Sequence, residues 1–465
     1  MKNIHFIGIG GIGMSGLAAA ACDLGINVSG SDRGAENREN RAIFNALRSQ
    51  GITVFPQDGS RFAAGSVPPD HIVYSSAIED DNPDFLAAGE IPRLHRSKLL
   101  RYLLDAFGRK SIAVTGSCGK STVCCYLAEA LTNLGADPVM LSGALSKRFR
   151  SDKFAGNYRP GKGDFLVFEA DESDKSLLNY GADYAIILNI GTDHYDTSEL
   201  KRVFSEFLVH IRCGAVLTRE VYNALRDTIP GTLTVKIVDT SADTDAEYSL
   251  LDYRKENSAP TATFTGGAKL LLPKHGRHMA TNALCIKAML EMTGFSPDDA
   301  LTALTRFDGV WRRDDFAGKT ANGTQVFDDY AHNPEKILSC LQGMRERISG
   351  NIYAVFQPHG YKPFGFMEEQ LFKYMDDFLN TGDRLMLLEP FYAGGTSSFK
   401  PSSAEVVEKW RKNTSAPERF SVFPDRKTLA DFLKETPAEN DLIVIMGARD
   451  NSLSDFAAEL AGKEV

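Results

Sequence analysis

The chain has 465 residues, with 52 lysines and arginines against 61 aspartates and glutamates, a formal net charge of −9. A hydrophobic fraction of 43% and a charged fraction of 24% are those of an ordinary globular protein, which excludes a disordered chain, a collagen and a disulfide-dense miniprotein. The length predicts roughly three domains, and an acidic balance without a basic block argues against nucleic-acid binding.

No stretch approaches about 18 consecutive apolar residues, so no membrane span is expected. The opening MKNIHFIGIGGIGMSG has its apolar run broken by glycines and is not read as a signal peptide. Seven cysteines without a CxxC pair suit reduced thiols in a cytoplasmic protein. Residues 4–9 form an apolar, β-branched run, followed by a glycine turn and a helix over 14–24. Strands at 27–30 and 72–75 continue a β-α-β rhythm, which calls for a parallel sheet covered by helices.

A second series starts with a strand at 112–115, a glycine turn and a helix through 134, then strands at 165–169, 184–189 and 215–218. Between 236 and 273 the pattern shortens to alternating pieces such as 261–264 and 269–272, read as antiparallel hairpins. A third series follows Phe307, with strands at 326–327, 352–356, 384–388 and 442–446. These restarts divide an α/β chain into domains at 1–106, 107–307 and 308–465.

Six clusters carry chemistry. Gly8-Ile9-Gly10-Gly11-Ile12-Gly13 joins a strand to a helix, and Asp32 lies 19 residues beyond Gly13. This is the dinucleotide fingerprint, with backbone N–H groups facing a diphosphate and an acid for a ribose hydroxyl. Thr115-Gly116-Ser117-Cys118-Gly119-Lys120-Ser121-Thr122 joins another strand to a helix. Its amides and helix dipole suit a nucleoside triphosphate, Lys120 the β- and γ-phosphates, and the Ser121 hydroxyl Mg²⁺. Val114 stands where the Walker pattern wants its first glycine.

Phe168-Glu169-Ala170-Asp171-Glu172-Ser173 ends an apolar strand with carboxylates, which suits a hard cation. Asn189-Ile190-Gly191-Thr192-Asp193-His194 follows the next strand, and His194 is a candidate for a metal or a phosphate. Gly276-Arg277-His278 with Asn282, then Trp311-Arg312-Arg313, could bring arginine to a triphosphate across a domain junction. The last cluster is Phe327-Asp328-Asp329-Tyr330-Ala331-His332. The first cluster alone would also fit an NAD-dependent oxidoreductase. Hydride transfer, however, needs no second cradle with a lysine such as Lys120.

In this order the six clusters resemble the Mur ligases, ATP-dependent amide-forming enzymes of peptidoglycan precursor synthesis. The opening GIGGIGMSG, Ser75-Ser76-Ala77-Ile78 and the EADESD stretch match the branch acting on UDP-N-acetylmuramate. The resemblance implies three domains: a Rossmann-like UDP-binding domain, a central P-loop ATPase domain with a mixed sheet, and a C-terminal Rossmann-like domain. It puts Gly10, Gly11, Ile12 and Gly13 at the diphosphate, with Asp32, Ser75 and Arg96 nearby. It gives Gly116, Gly119, Lys120, Ser121 and Thr122 to the ATP phosphates and Ser121, Glu169 and His194 to Mg²⁺. Asn282 falls to the adenine, Arg313 and Asp329 to phosphate and ribose, and His332 to the side of the incoming amine.

The expected partners are ATP, Mg²⁺, UDP-N-acetylmuramate and an amine, L-alanine first and a preformed peptide second. Neither nucleic acid nor membrane is among them, and a monomer or weak homodimer is expected. Departures from the family pattern gather late in the chain, where both arginines of a Pro-His-Arg-Tyr-x-Arg stretch are replaced in Pro358-His359-Gly360-Tyr361-Lys362-Pro363. A further glycine of the pattern is Arg449 here.

Overall fold

The computed structural model describes residues 1–63, 65–172, 176–191, 197–241, 246–256, 259–392 and 399–463. They form two compact units: Met1–Pro273 with His278–Trp311, and Arg312–Val465 with Lys274–Arg277. Among the described residues no helix is long and apolar enough to cross a membrane.

The first unit holds two sheets. One contains β1 (Asn3–Ile7), β2 (Asn27–Ser31), β3 (Thr53–Phe55), β4 (His71–Tyr74) and β5 (Arg93–His95), all parallel, in the order β3-β2-β1-β4-β5. Its helices include α1 (Ile12–Asp23), α2 (Arg41–Ser49), α3 (Pro83–Ala88) and α4 (Arg96–Phe107). The strand order reverses direction between β1 and β4, the place where open α/β sheets take ligands. The first strand stops at Ile7 rather than at residue 9, because Gly8 turns to φ +74° and gives its N–H to the Ser31 carbonyl.

The second sheet is built from β6 (Lys110–Thr115), β7 (Val139–Leu141), β8 (Tyr158–Arg159), β9 (Phe165–Glu169) and β10 (Ala182–Ile187), then β11 (Ile211–Thr218), β12 (Thr234–Asp239), β13 (Tyr248–Glu256), β14 (Ala259–Phe264) and β15 (Lys269–Leu271). The order is β15-β14-β13-β12-β11-β10-β6-β9-β7-β8. β6, β9 and β10 each bury an apolar run, Ile112 to Val114, Phe165 to Phe168 and Ala185 to Ile187, as parallel strands covered on both faces must. β13, β14 and β15 pair antiparallel, as their alternating pattern predicts. Helices α5 (Lys120–Asn133) and α6 (Thr197–Val209) flank the parallel part.

One hydrophobic core runs from Ile4 and Phe6 of the first sheet to Tyr158, Leu166 and Phe168 of the second. Polar clips add to it: Asn157 Nδ2 donates to the Ile12 carbonyl at 2.5 Å and to Ser15 Oγ at 2.8 Å. A Cβ on Gly16 would stand 3.3 Å from the Asn157 carbonyl oxygen, so the alanine-rich α1 owes this close approach to a missing side chain.

The second unit has one sheet of β16 (Asp315–Lys319), β17 (Gln325–Asp329), β18 (Ile352–Gln357), β19 (Arg384–Leu387), β20 (Phe420–Val422) and β21 (Leu442–Gly447), in the order β16-β17-β21-β18-β19-β20. Only the β16–β17 pair is antiparallel among the described pairings of this sheet. Phe364, Leu371, Val407 and Trp410 cover one face, and Leu429, Leu433, Leu453 and Phe456 the other. This is a doubly wound layer structure.

Candidate active site

β9, β6 and β10 lie side by side, so three of the sequence clusters meet at one sheet edge. The loop after β6 is laced to the segment after β10. Asn189 Oδ1 accepts the Cys118 N–H at 2.8 Å, Asn189 Nδ2 donates to the Cys118 carbonyl at 3.0 Å, and Ser117 Oγ accepts the Gly191 N–H at 2.8 Å. Gly116 has φ +132°, and a Cβ there would stand 3.1 Å from the Asn189 nitrogen. Gly119 has φ +87° and precedes α5 without a side-chain cap, leaving the amides of the first turn facing the loop. Thr115 is fully buried, and its hydroxyl has no hydrogen-bond partner among the described residues.

Lys120 opens α5. Its Nζ donates to the Gly116 carbonyl at 2.9 Å and forms an ion pair with Glu172 at 2.8 Å, with Asp171 3.9 Å away. Burial alone would lower the lysine's pKa, but Glu172, Asp171 and Glu169 turn the net shift upward. Burial pushes the Glu172 carboxyl up, against the pull of Lys120. Glu169 stands at the end of β9, where its Oε2 accepts the Gly143 N–H at 2.8 Å. Ser121 and Thr122 follow Lys120 in the first turn of α5. Asn282, buried in the helix Arg277–Met292, has its Oδ1 3.7 Å from where a Gly119 Cβ would lie. His194 lies outside the described residues.

The glycine turn after β1 is at the edge of the first sheet. Asp32 Oδ2 accepts the Gly10 N–H and Oδ1 the Gly34 N–H, both at 2.8 Å. The amides of Gly11 and Ser15 are satisfied inside the turn and first helical turn, by the carbonyls of Gly8 and Gly11. Ile12 begins α1 behind a Gly11 N-cap that carries no side-chain bond. Ser75 follows β4, the neighbour of β1. Arg96 begins α4; its Nη1 is 3.6 Å from a Cβ placed on Gly13, and its Nη2 is 3.4 Å from Asp171.

In the second unit Arg312 is fully buried, at φ +56°, and is tied to Asp328 at 3.2 Å, to the Gly447 carbonyl at 2.7 Å and to the Asp450 carbonyl at 3.0 Å. Both arginines lie over the Tyr330 ring, Arg312 at 5.3 Å and Arg313 at 4.9 Å from its centroid. Asp329 accepts the local amides of Asp314 at 2.7 Å and Ala331 at 2.8 Å. His332 Nδ1 is 2.8 Å from the Tyr330 carbonyl, which requires the proton on that nitrogen and leaves Nε2 as the acceptor, 3.5 Å from Lys336 Nζ. Burial first, then the Lys336 charge, lowers the His332 pKa to about 3, so the ring is neutral.

Arg449 keeps the left-handed φ of +65° that a glycine takes without cost. Gly360, at φ +148°, could not become arginine without strain. Glu172 and Asn189 lie within the sequence clusters but drew no role there. Their signal is position, one residue beyond Asp171 and the first polar residue after an apolar strand, and their partners are distant in sequence.

Residues 3–108 match the Mur ligase family, catalytic domain; residues 114–290 the Mur ligase middle domain; residues 312–449 the Mur ligase, glutamate ligase domain. The chain belongs to the Mur ligase family and is an ATP-dependent ligase. It is 32% identical to a UDP-N-acetylmuramate–L-alanine ligase of Chelativorans sp. (strain BNC1), covering 96% of this chain and 95% of that one. It is also 32% identical to a protein of the same name from Rhizobium meliloti (strain 1021), over 98% and 96%. Among solved structures it resembles a UDP-N-acetylmuramate-alanine ligase of Thermotoga maritima, with a TM-score of 0.79 at 25% identity over 99% and 98% of the two chains. A murein peptide ligase of Psychrobacter arcticus has the same fold, with a TM-score of 0.70 at 22% identity over 100% of both chains.

Proposed function

We propose that this chain joins the carboxylate of UDP-N-acetylmuramate to the amino group of L-alanine while ATP is cleaved to ADP and phosphate. The observation that carries the reading is the meeting of the phosphate loop, Lys120 and Glu169 at the adjoining ends of β6 and β9, in one compact unit with the glycine turn of β1. The relatives that align over nearly the whole chain bear the name of this reaction.

On this reading residues 1–106 hold the UDP part, through the turn Gly10, Gly11, Ile12 and Gly13, whose shape Asp32 fixes, and the side chains of Ser75 and Arg96. Residues 107–307 hold ATP, through Gly116, Gly119, Lys120, Ser121 and Thr122 at the phosphates and Asn282 at the base. Residues 308–465 serve the amine, with His332 facing it and Arg313 and Asp329 reaching the nucleotide. The orphaned Thr115 hydroxyl and the uncapped amides of α5 fit a phosphate chain. Ser121 and Glu169 are oxygen donors of the kind Mg²⁺ takes, with His194 as a third ligand, and the ion supplies neutralising charge at the transferring phosphoryl group.

The muramoyl carboxylate oxygen bonds to the γ-phosphorus as the bond to ADP breaks, giving an acyl phosphate. The neutral amine nitrogen then bonds to the acyl carbon, phosphate departs with the former carboxylate oxygen, and the proton lost from nitrogen leaves with the phosphate. Lys120 meets the charge that develops on the transferring oxygens. His332, neutral with its Nε2 toward Lys336, adds no charge of its own on the amine's side. Positioning supplies most of the remaining rate. The reaction belongs to the cytoplasm, where UDP-sugars and ATP are made, and needs no nucleic acid or membrane; a monomer or weak homodimer suffices.

Phosphate release from ATP and Mg²⁺ with UDP-N-acetylmuramate, measured across single amino acids and short muramyl peptides, tests this. Stimulation by L-alanine supports it. Stimulation by a peptide alone reassigns the amine, and silence across the panel overturns the reading.

A further inference from the structure

A cavity of about 570 Å³ opens where β6 and β11 begin, lined by Arg109, Lys110, His210 and Arg212 among others. Two helices end on it, α4 just before Gly108 and α6 just before His210. The cations there answer the carbonyl poles of those helices, so the positive lining is balanced by the fold itself.

A different arrangement on α5 has no such explanation. Tyr126, Glu129 and Asn133 share one face of that helix, by their i, i+3, i+7 spacing. All three hold the segment 303–311, which ends where the first unit ends, at Trp311. Tyr126 donates its hydroxyl to the Leu304 carbonyl and stacks on Phe307 with centroids 4.5 Å apart. Asn133 Nδ2 donates to the Ala303 carbonyl at 2.9 Å. Glu129 is fully buried; one oxygen accepts the Asp308 N–H at 2.9 Å, the other the Ser146 hydroxyl at 3.2 Å.

Beyond Asp308 the segment runs beside residues 145–147. Lys147 N–H reaches the Gly309 carbonyl at 3.0 Å, Trp311 N–H reaches the Leu145 carbonyl at 2.8 Å, and Ser146 bridges to Val310. A buried carboxylate whose paired cation among the described residues, Arg148, is 4.0 Å away is costly, and burial holds its pKa up to about 7. An apolar residue would pack at that point of α5 without this cost, but it would leave the Asp308 amide unbonded.

We propose that Glu129 is a positioning residue for the ligase reaction: it clasps the connector that leads to the second unit onto the helix whose first residue is Lys120. The connector itself is thereby held on the helix that begins at the phosphate site, and orientation is what a ligation needs most. The inference rests on the ligase reading above.

Two variants separate clasp from charge. In Glu129→Gln the amide oxygen can still accept the Asp308 N–H while the amide NH₂ donates to Ser146 Oγ; in Glu129→Ala the backbone donor is orphaned. With phosphate release as the assay, Glu129→Ala is expected to raise the amine KM about tenfold with the ATP KM held within about twofold, and Glu129→Gln to restore the wild-type value. Amide exchange at Asp308 should quicken in the alanine variant and not in the glutamine variant.

Equal amine KM in wild type and Glu129→Ala overturns the proposal. So does an equal loss in both variants, which would make the charge the cause, or a parallel rise in ATP KM, which would make α5 itself the casualty. If Glu129→Ala does not fold, Tyr126→Phe loosens the same connector while keeping the ring stack; it must raise the amine KM in smaller measure, and an unchanged value there is equally fatal. Wild-type protein that releases no phosphate under any amine would sink the ligase reading, and amide exchange would still judge the clasp.

Discussion

Two glycine turns in the first unit do the same geometric job by different chemistry. Each follows a parallel strand, β1 or β6, and opens a helix, α1 or α5. At the turn after β1 the charged group faces inward. Asp32 takes the amides of Gly10 and Gly34, and a Cβ on Gly10 would strike the Phe44 ring. At the turn after β6 the charges are held in reserve, with Lys120 poised between its own loop carbonyl and the buried Glu172. The first turn is thus a fixed backbone shape suited to a ligand part that is only held. The second keeps a cation that can be exchanged between protein and phosphate, which suits a part that reacts.

The largest break in that contrast is Lys120→Ala. Turnover is expected to fall on the order of 10³-fold with UDP-sugar binding nearly unchanged, the scale for removing a positioned charge from a transfer site. Glu172 would be left buried without its partner, and breaking a buried pair costs about 3–5 kcal/mol. The double variant Lys120→Ala/Glu172→Gln should therefore recover the melting temperature and not the turnover. Recovery of both, or unchanged turnover in the single variant, would take the reactive role away from Lys120.

The contrast also marks what the sequence can and cannot say. The clusters at 115–122, 168–173 and 189–194 are legible because glycines and carboxylates interrupt apolar runs at strand ends, and parallel strands put those ends on one edge. The pairing of Lys120 with Glu172 spans 52 residues and leaves no local trace. The same holds for Arg312 and Arg313, adjacent in sequence; both lie over the Tyr330 ring, but Arg312 is in addition sealed among Asp328 and two carbonyls. Short strands such as β3, β5 and β20 escape notice because three residues carry no period, and pairing with a longer neighbour makes them strands. Gly8 and its positive φ end β1 two residues before the apolar pattern does.

A smaller effect is expected at the first turn. Asp32→Ala leaves the Gly10 and Gly34 amides without their acceptor, a loss of about 1–2 kcal/mol for partly buried donors. The KM for UDP-N-acetylmuramate should rise about tenfold while kcat and the ATP KM stay near wild type. A fall in kcat with the sugar KM unchanged would mean that the first turn, too, takes part in the chemistry, and the contrast would fail.

The two feeding strands differ in one more respect, which pH exposes. β6 carries Ile112, Ala113 and Val114 through its buried middle, whereas β1 carries His5 between Ile4 and Phe6. His5 is wholly buried beside Phe62 and Phe55, with Nδ1 2.9 Å from Ser29 Oγ and no partner for Nε2 among the described residues. Burial, aided by the Arg61 charge, lowers its pKa from 6.5 to about 3. Between those values the unfolded chain binds a proton that the folded chain refuses. The stabilisation is therefore complete above the unfolded value and drains away as pH falls toward about 3, at no more than about 1.4 kcal/mol per pH unit. His5→Phe removes the titrating group and the orphaned nitrogen together, and its ring suits the aromatic neighbours. Urea midpoints measured from about pH 7 to about pH 4 should fall less steeply in this variant than in wild type. Parallel lines for the two proteins would mean that β1 is no more acid-sensitive than β6, and that His5 finds room for its proton.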